Sequence, residues 1–413
     1  MSDQTFVIVG ASLAGAKAAE ELRSSGFDGR LLLFGAEPER PYERPPLTKD
    51  YLRGDSPREK VYVHEQAFYE EHQITLETSA TVTGIDPAQS RVTLGDGREF
   101  GYDKLLLTTG AEPRRIQIAG SELAGIHYLR TLTDCDALRG RLRAGGRVVV
   151  VGAGWIGSEF AASARQSGLE VTVIDPLALP NERIFGAEVG AFYRDVHRDQ
   201  GVELLLGEGV EAFEGARKVS RVRTAGNKVI ECDLVVVGIG VVPRIELASD
   251  AGAEIDNGVI VDEKLATSLP GVFAAGDVAR ALNPFYGERI RVEHWSNALN
   301  QGPAAARAML GEQVSYDRIP YFFSDQFDVG MEYSGYAPTW DEVVFRGDPG
   351  DGEFVAFWLR ERRVLAGMNV NVWDVNEQVQ ALIRSQRTID PDALRDRDTP
   401  LDSLVGDLAS QTD

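Results

Sequence analysis

The chain has 413 residues, 43% hydrophobic and 26% charged, which is enough apolar material for two or three domains with cores of their own. A net charge of −21, with only 7 lysines among the 43 basic residues, argues against the extended positive surface that nucleic acid or an acidic membrane needs; a local positive patch here would be built from arginine. The two cysteines, Cys135 and Cys232, stand 97 positions apart, a spacing that argues against a disulfide framework, a zinc ribbon or a cysteine-ligated cluster, so no metal is expected.

The N-terminus, MSDQTFVIVG, has no basic leader or long apolar stretch, and no later segment reaches the ~18 apolar residues of a membrane span, so no membrane association is expected and a cytoplasmic location is. Residues 5 to 9 (TFVIV) are a β-branched run that predicts a strand. Gly10-Ala-Ser-Leu-Ala-Gly15 then predicts a tight turn, and the apolar spacing of AKAAEELRSSG a helix closed at Gly26. LLLFGAE reads as a second strand ending at Glu37, which completes a βαβ unit. Residues 51 to 107 read as linkers and short strands, and TDCDALRG places Cys135 at a helix start.

The opening pattern recurs 142 positions later, where RVVVVG ending at Gly152, then Ala-Gly154-Trp-Ile156-Gly157, leads into SEFAASARQSG and LEVTVID ending at Asp175. Cys232 edges the buried strand of ECDLVVVG, and GVFAAGDVAR is again a strand running into a glycine turn. The alternation predicts an α/β protein with two dinucleotide-binding folds, mainly parallel sheets wrapped by helices. From about 319 a run of strands followed by the helix VNEQVQALIRS predicts a separate α+β domain, and the Asp- and Arg-rich tail from Thr388 is expected to wrap the surface or be partly mobile. Residues 319 to 413 carry 18 acidic against 8 basic side chains, about half of the excess acid.

In a dinucleotide fold the first glycine permits the turn, the second lets the backbone approach the pyrophosphate, and the third lets the helix pack on the strand. The phosphates then rest on N–H groups at the positive end of the helix. The first turn departs from this, because Ser12 stands where the second glycine is expected; either the backbone shifts slightly or the hydroxyl donates to a phosphate. An acid about twenty residues on should accept from a ribose hydroxyl, and Glu37 and Asp175 lie 22 and 18 residues beyond Gly15 and Gly157. A solvated strand-end carboxylate is the alternative for each.

Gly10 to Gly15, Arg44-Pro-Pro-Leu-Thr-Lys49, Thr108-Thr109-Gly110, Gly152 to Gly157 and Phe273-Ala-Ala-Gly276-Asp277, in that order, resemble the two-dinucleotide-binding flavoprotein reductases. Within them the chain looks like the NADH-dependent ferredoxin reductases that serve bacterial oxygenases, including its last domain with YFFSDQFDVG and GMNVNVWDV. The resemblance implies two Rossmann-like domains, FAD over residues 1–112 and 241–318 and NAD over 113–240, followed by a C-terminal domain over 319–413. It implies that Gly10, Ser12, Leu13, Ala14 and Gly15 cradle FAD, that Asp277 beside Gly276 holds the ribityl chain, and that Arg44 and Arg130 contact FAD. Glu37 is carried over to the ribose, although family members often carry that acid one step earlier, at Ala36. Val82, Thr109 and Gly110 complete the implied FAD set, with Glu293, His294 and Trp295 near the ring.

By the same resemblance Lys49 lies near flavin N5, with Glu159 close by, where a cation stabilises charge on the reduced ring; without it Lys49 reads as a surface lysine. Gly152, Gly154, Ile156, Gly157, Glu159, Arg183 and Gly240 are the implied NAD side, and Asp175 favours NADH, since a carboxylate repels a 2′-phosphate. Trp295 is equally readable as a core aromatic, and His294 as structural rather than a base. Related disulfide reductases need a cysteine pair or a cysteine near the RPPLTK region, and this chain has Pro41-Tyr-Glu-Arg-Pro-Pro there. Electrons must leave the flavin directly, which suits a [2Fe-2S] ferredoxin that feeds a cytochrome P450 or a ring-hydroxylating oxygenase. The other readings are a reductase of rubredoxin, oxygen or a quinone-like acceptor, and a redox sensor like apoptosis-inducing factor. Small ferredoxins being acidic, docking is expected at a local patch of Arg289, Arg291 and Arg307.

Overall fold

The computed structural model describes residues 3–405 and divides the chain into two compact units. The first is assembled from residues 1–46, 56–112 and 241–318, and the second from 47–55, 113–240 and 319–413.

The first unit is built on a five-stranded parallel sheet in the order Val272–Ala274, Lys104–Leu107, Thr5–Val9, Arg30–Phe34, Ile74–Glu77. Its central strands read as unbroken apolar runs because both faces are covered, and Val7, Ile8, Leu32 and Leu33 are fully buried. The strand Thr5–Val9 and helix Leu13–Ser24 fall where the β-branched run and the helical spacing put them. The second strand stops at Phe34, short of the predicted end, so Glu37 sits in the loop beyond it. Helix Leu13–Ser24 packs backbone to backbone on helix Trp295–Met309: a Cβ at Gly302 would meet the Ala14 carbonyl oxygen at 2.3 Å. Alanines at 16, 18, 19 and 304 to 306, all buried, keep that interface thin.

The second unit repeats the parallel architecture in the order Glu203–Leu206, Glu170–Asp175, Arg147–Val151, Leu234–Val237, Ile126–His127. Its C-terminal part is an antiparallel sheet in the order Tyr321–Gln326, Val329–Gly335, Arg363–Val370, Glu353–Arg360, Glu342–Asp348, followed by helix Asn376–Ser385. This sheet does not close a core alone. Phe354, Ala356, Trp358 and Met368 share one apolar cluster with Phe185, Val189 and Tyr193 of helix Glu182–Asp199, and the Trp358 indole donates to the Phe185 carbonyl at 3.0 Å.

The tail after Thr388 carries more structure than its composition suggested. Short helices Pro391–Arg395 and Leu401–Val405 bury Leu394, Leu401 and Val405, and the Arg346 guanidinium donates to the carbonyls of Asp396 and Thr399 at 2.6 and 2.8 Å. The last eight positions of that tail lie outside the described residues.

Candidate functional site

The first glycine turn separates three demands. Gly10 has φ +120° and a Cβ there would sit 2.1 Å from the Thr108 carbonyl oxygen; at Gly15 it would sit 2.1 Å from the Gly10 carbonyl. Both are fixed by packing within the chain, and the Thr108 hydroxyl donates to the Gly10 carbonyl at 2.8 Å. Ser12, at φ −121°, is in extended backbone open to any residue, so the departure from glycine costs no strain. It stands at the N-cap of the helix without a side-chain cap bond, which leaves its hydroxyl able to serve a phosphate there. Gly276 (φ +78°) nests between Ala14 and Ala298, where a Cβ would lie 3.3 and 4.0 Å from theirs, and its N–H donates to the buried Gln301 amide oxygen at 2.9 Å. Sequence reasoning missed Gln301, which pins the turn preceding Asp277.

Around that turn the first unit gathers several expected residues. Arg44 pairs with Glu37 at 3.1 Å and donates to the Tyr42 hydroxyl at 3.1 Å, while Tyr42 also donates to Glu37. Burial opposes the Arg44 charge, but Tyr42, Glu37 and the carboxylate of Asp277 outweigh it and hold its pKa above the ordinary value. His294, at the N-cap of helix Trp295–Met309, is pushed down to about 4 by burial against the opposing pull of Asp277, so its imidazole is neutral at pH 7. Burial raises the Glu43 carboxyl above its ordinary range, with the nearby Trp295 indole and the Lys17 charge pulling it back down. Thr109 donates to the Arg244 carbonyl at 2.8 Å, the Gly110 carbonyl accepts from the Arg244 N–H at 3.0 Å, and Val82 is buried at the start of strand Val82–Asp86.

The second glycine turn makes the same division more sharply. A Cβ at Gly152 (φ +105°) would meet the Gly238 carbonyl oxygen at 2.3 Å and one at Gly157 the Gly152 oxygen at 2.0 Å, but one at Gly154 would meet nothing within 4 Å. With φ at −77°, Gly154 answers no steric need of the protein itself; open space beside a helix N-terminus fits the approach of a pyrophosphate. These two turns therefore fit dinucleotides, one in each unit.

Asp175 has partners within the chain. Its carboxylate is 9% exposed and accepts from the Ala153 N–H at 2.6 Å and the Leu177 N–H at 2.7 Å, so its first task is to brace the glycine turn. Arg183 is exposed near the start of helix Glu182–Asp199, Ile156 is half-buried in helix Trp155–Gln166, and Gly240 accepts from the Arg114 N–H at 2.9 Å. Arg130 belongs to this second unit, where its N–H donates to Asp134 at 3.2 Å.

Lys49 and Glu159 come together in the second unit as an ion pair of 2.9 Å, with side chains only 12% and 9% exposed. The Thr48 hydroxyl donates to the same Glu159 oxygen at 2.5 Å and the Ser324 hydroxyl to the other at 2.7 Å. Burial raises the carboxyl of neighbouring Asp325, with Lys49 pulling it down and Glu159 pushing it further up. Thr48 and Ser324 were not singled out from sequence, although each sits inside a motif that was.

Neither thiol offers redox chemistry. Burial pushes Cys135 up to about 12 and Cys232 up to about 11, and Cys135 donates to the Leu47 carbonyl. The arginine patch expected from sequence is largely neutralised within the chain: Arg307 pairs with Glu21 at 2.8 Å, and Arg291, 12% exposed, pairs with Glu293. Arg289 is exposed on strand Glu288–Ile290. Among the described residues no cluster of His, Cys, Asp or Glu is arranged to hold a metal, and no helix is long and apolar enough to cross a membrane.

The chain is 36% identical over 98% of its length to putidaredoxin reductase of Pseudomonas putida, covering 97% of that protein. It is 38% identical over 96% of its length to the ferredoxin–NAD(+) reductase component of the anthranilate 1,2-dioxygenase system of Burkholderia cepacia, covering 98% of it. A chain from the crystal structure of the covalent putidaredoxin reductase–putidaredoxin complex superposes with a TM-score of 0.94 at 36% identity, covering 98% of this chain and 99% of that one. The reductase C-terminal family matches residues 321–405. With residues 4–302 matched as well, the chain belongs to the pyridine nucleotide-disulphide oxidoreductase family, whose members are built to hold FAD and a nicotinamide dinucleotide.

Proposed function

We propose that this chain is an NADH:ferredoxin reductase that takes a hydride from NADH and releases electrons one at a time to a [2Fe-2S] ferredoxin serving a cytochrome P450 or a ring-hydroxylating oxygenase. The observation that carries the reading is the pair of buried, unreactive thiols in a chain of this family: no disulfide relay is available, so electrons leave directly. FAD, when bound, supplies the conversion from two-electron to one-electron chemistry. The chain supplies placement and charge.

The turn at Gly10 to Gly15 holds the FAD pyrophosphate, with the Ser12 hydroxyl donating to it; Arg44, Glu37 and Asp277 fix the rest of that cofactor, and neutral His294 takes no part as a base. The turn at Gly152 to Gly157 holds NADH. Asp175 braces that turn, and its negative charge disfavours a 2′-phosphate, which supports NADH over NADPH. Lys49, held by Glu159, keeps a cation beside the flavin N5 edge. For docking an acidic ferredoxin, Arg289 is the member of the expected arginine patch best able to contribute, since Arg291 and Arg307 are committed to carboxylates.

The test is stopped-flow oxidation of the NADH-reduced, FAD-loaded chain under argon against a panel of [2Fe-2S] ferredoxins, with rubredoxin, oxygen and a quinone as parallel arms. Acceleration by at least one ferredoxin well above the other arms is expected. Rapid reoxidation by oxygen with no gain from any ferredoxin would sink the proposal.

A further inference from the structure

Glu159 grips Lys49, and behind Glu159 runs a chain of three further side chains that reaches it through Ser324. Strand Tyr321–Gln326 alternates, so Phe322, Ser324 and Gln326 share its buried face. The Gln326 amide N–H donates to the Ser324 hydroxyl at 3.1 Å, and that hydroxyl donates onward to Glu159 at 2.7 Å. On the far side the Gln326 amide oxygen meets the His197 Nε2 at 2.8 Å. Ser324, Gln326 and His197 are each 1% exposed.

The direction of each bond follows from its neighbour. An amide oxygen only accepts, so His197 carries its proton on Nε2, and its Nδ1, buried and without a partner among the described residues, is left as the bare nitrogen. Burial holds the His197 pKa below its ordinary value, which favours the neutral ring, and the bond to the Gln326 oxygen selects the tautomer. His197 thereby fixes which way the Gln326 amide faces. With its N–H toward Ser324, that amide occupies the serine oxygen as acceptor, and the single serine proton has Glu159 as its outlet. Remove the His197 donor and the amide is free to turn over; the serine proton then goes to the amide oxygen, and Glu159 loses one of its three donors.

We propose that His197, Gln326 and Ser324 are positioning residues that orient the Glu159 carboxylate and, through it, the Lys49 ammonium. This deepens the proposed function and rests on it in one respect, the placement of Lys49 beside the flavin. The other charged and titratable groups around the pair are Asp325, Arg53 and Asp50, whose fields meet at Asp325, and the Tyr193 hydroxyl, one helical turn before His197 and exposed to the fields of Glu159 and Asp325. None of these stands between His197 and Glu159 in the chain of bonds.

The test uses the FAD-loaded protein labelled with ¹³C at glutamate carboxyls, the Glu159 signal being assigned with Glu159→Gln. At neutral pH that signal is expected to move in His197→Phe and in Ser324→Ala, and to return toward its original position in His197→Gln, which restores an N–H donor. In the same variants, reduction of the flavin by NADH in stopped flow should slow about tenfold, the size of one hydrogen bond to a charged group, with the KM for NADH unchanged. Ser324→Ala is nearly isosteric and guards against a folding failure of His197→Phe. A Glu159 signal indifferent to Ser324→Ala and to a folded His197→Phe overturns the proposal. A signal that moves with flavin reduction unaltered supports the chain of bonds and refutes instead the placement of Lys49 at the flavin, as would an unchanged midpoint potential in Lys49→Met.

Discussion

Gly154→Ala and Gly157→Ala differ by three positions and should fail in opposite ways. A methyl group at 154 meets nothing within 4 Å and the backbone there has φ −77°, so the chain accommodates it without strain. Alanine is a poorer N-cap than glycine by about 0.5 to 1 kcal/mol, and the lower entropy of its unfolded chain returns about as much, so the net stability change should stay within about 0.5 kcal/mol. The cost falls on the dinucleotide, which is kept off the helix N-terminus; loss of one charge-assisted hydrogen bond should weaken binding by about 1.4 kcal/mol, or tenfold in Kd. At 157 the methyl would lie 2.0 Å from the Gly152 carbonyl oxygen, so the helix must back away from the turn by more than an ångström. Overpacking of this kind costs about 1 to 3 kcal/mol of folding stability. Urea unfolding measures the second effect and titration with NAD⁺ the first, while FAD content serves as control because the flavin turn is untouched. If Gly154→Ala binds NAD⁺ as tightly as the parent, with the same stability, the open space at 154 is not the pyrophosphate seat.

Ser12→Gly should leave FAD content unchanged or raise it, as measured by absorbance after gel filtration; a large loss would show that the hydroxyl bond is essential. His294, ordinarily near 6.5 and pushed down to about 4, makes the unfolded chain the better proton acceptor between those values. Its contribution is therefore intact above about pH 6.5 and lost as the pH falls toward 4, by at most about 3 kcal/mol. His294→Asn, which suits the N-cap position, should flatten that part of the urea midpoint against pH, and an unchanged slope would contradict the buried neutral ring. The double variant Cys135→Ala, Cys232→Ala should reduce ferredoxin within about twofold of the parent rate, since neither thiol is reactive; a collapse of electron transfer with the fold intact would reopen a thiol route.

The parts of the molecule legible in the sequence are those set by local sterics. Gly10, Gly15, Gly152 and Gly157 announce their turns because each excludes a Cβ, and the β-branched runs before them announce the strands. At Asp175, counting residues from a glycine places a carboxylate near the turn but cannot say that two backbone amides also bind it. Glu37 likewise proved to be engaged by Arg44 and Tyr42, a loop arrangement with no periodic signature. Lys49 and Glu159, 110 positions apart, were joined by resemblance rather than by pattern. His197 left no trace at all: on an amphipathic helix it is one more polar residue, and only the fold carries Gln326 to it across 129 positions. The expected arginine patch shows a related limit, since charge counts carry no information about which carboxylates lie opposite Arg291 and Arg307.

Helices Leu13–Ser24 and Trp295–Met309 touch through their backbones, yet the ribosome makes them far apart in time. At typical synthesis rates of about 5 to 20 residues per second, roughly 15 to 60 s separate the end of the first from the end of the second. Throughout that interval the alanine face of the first helix has no cover, and Gly276, which must nest against Ala14, does not yet exist for most of it. With FAD at the proposed turn, its capture is a late event in the life of the nascent chain. A ribosome halted before codon 309 should carry a glycine turn already shaped for a phosphate and still hold no yellow cofactor.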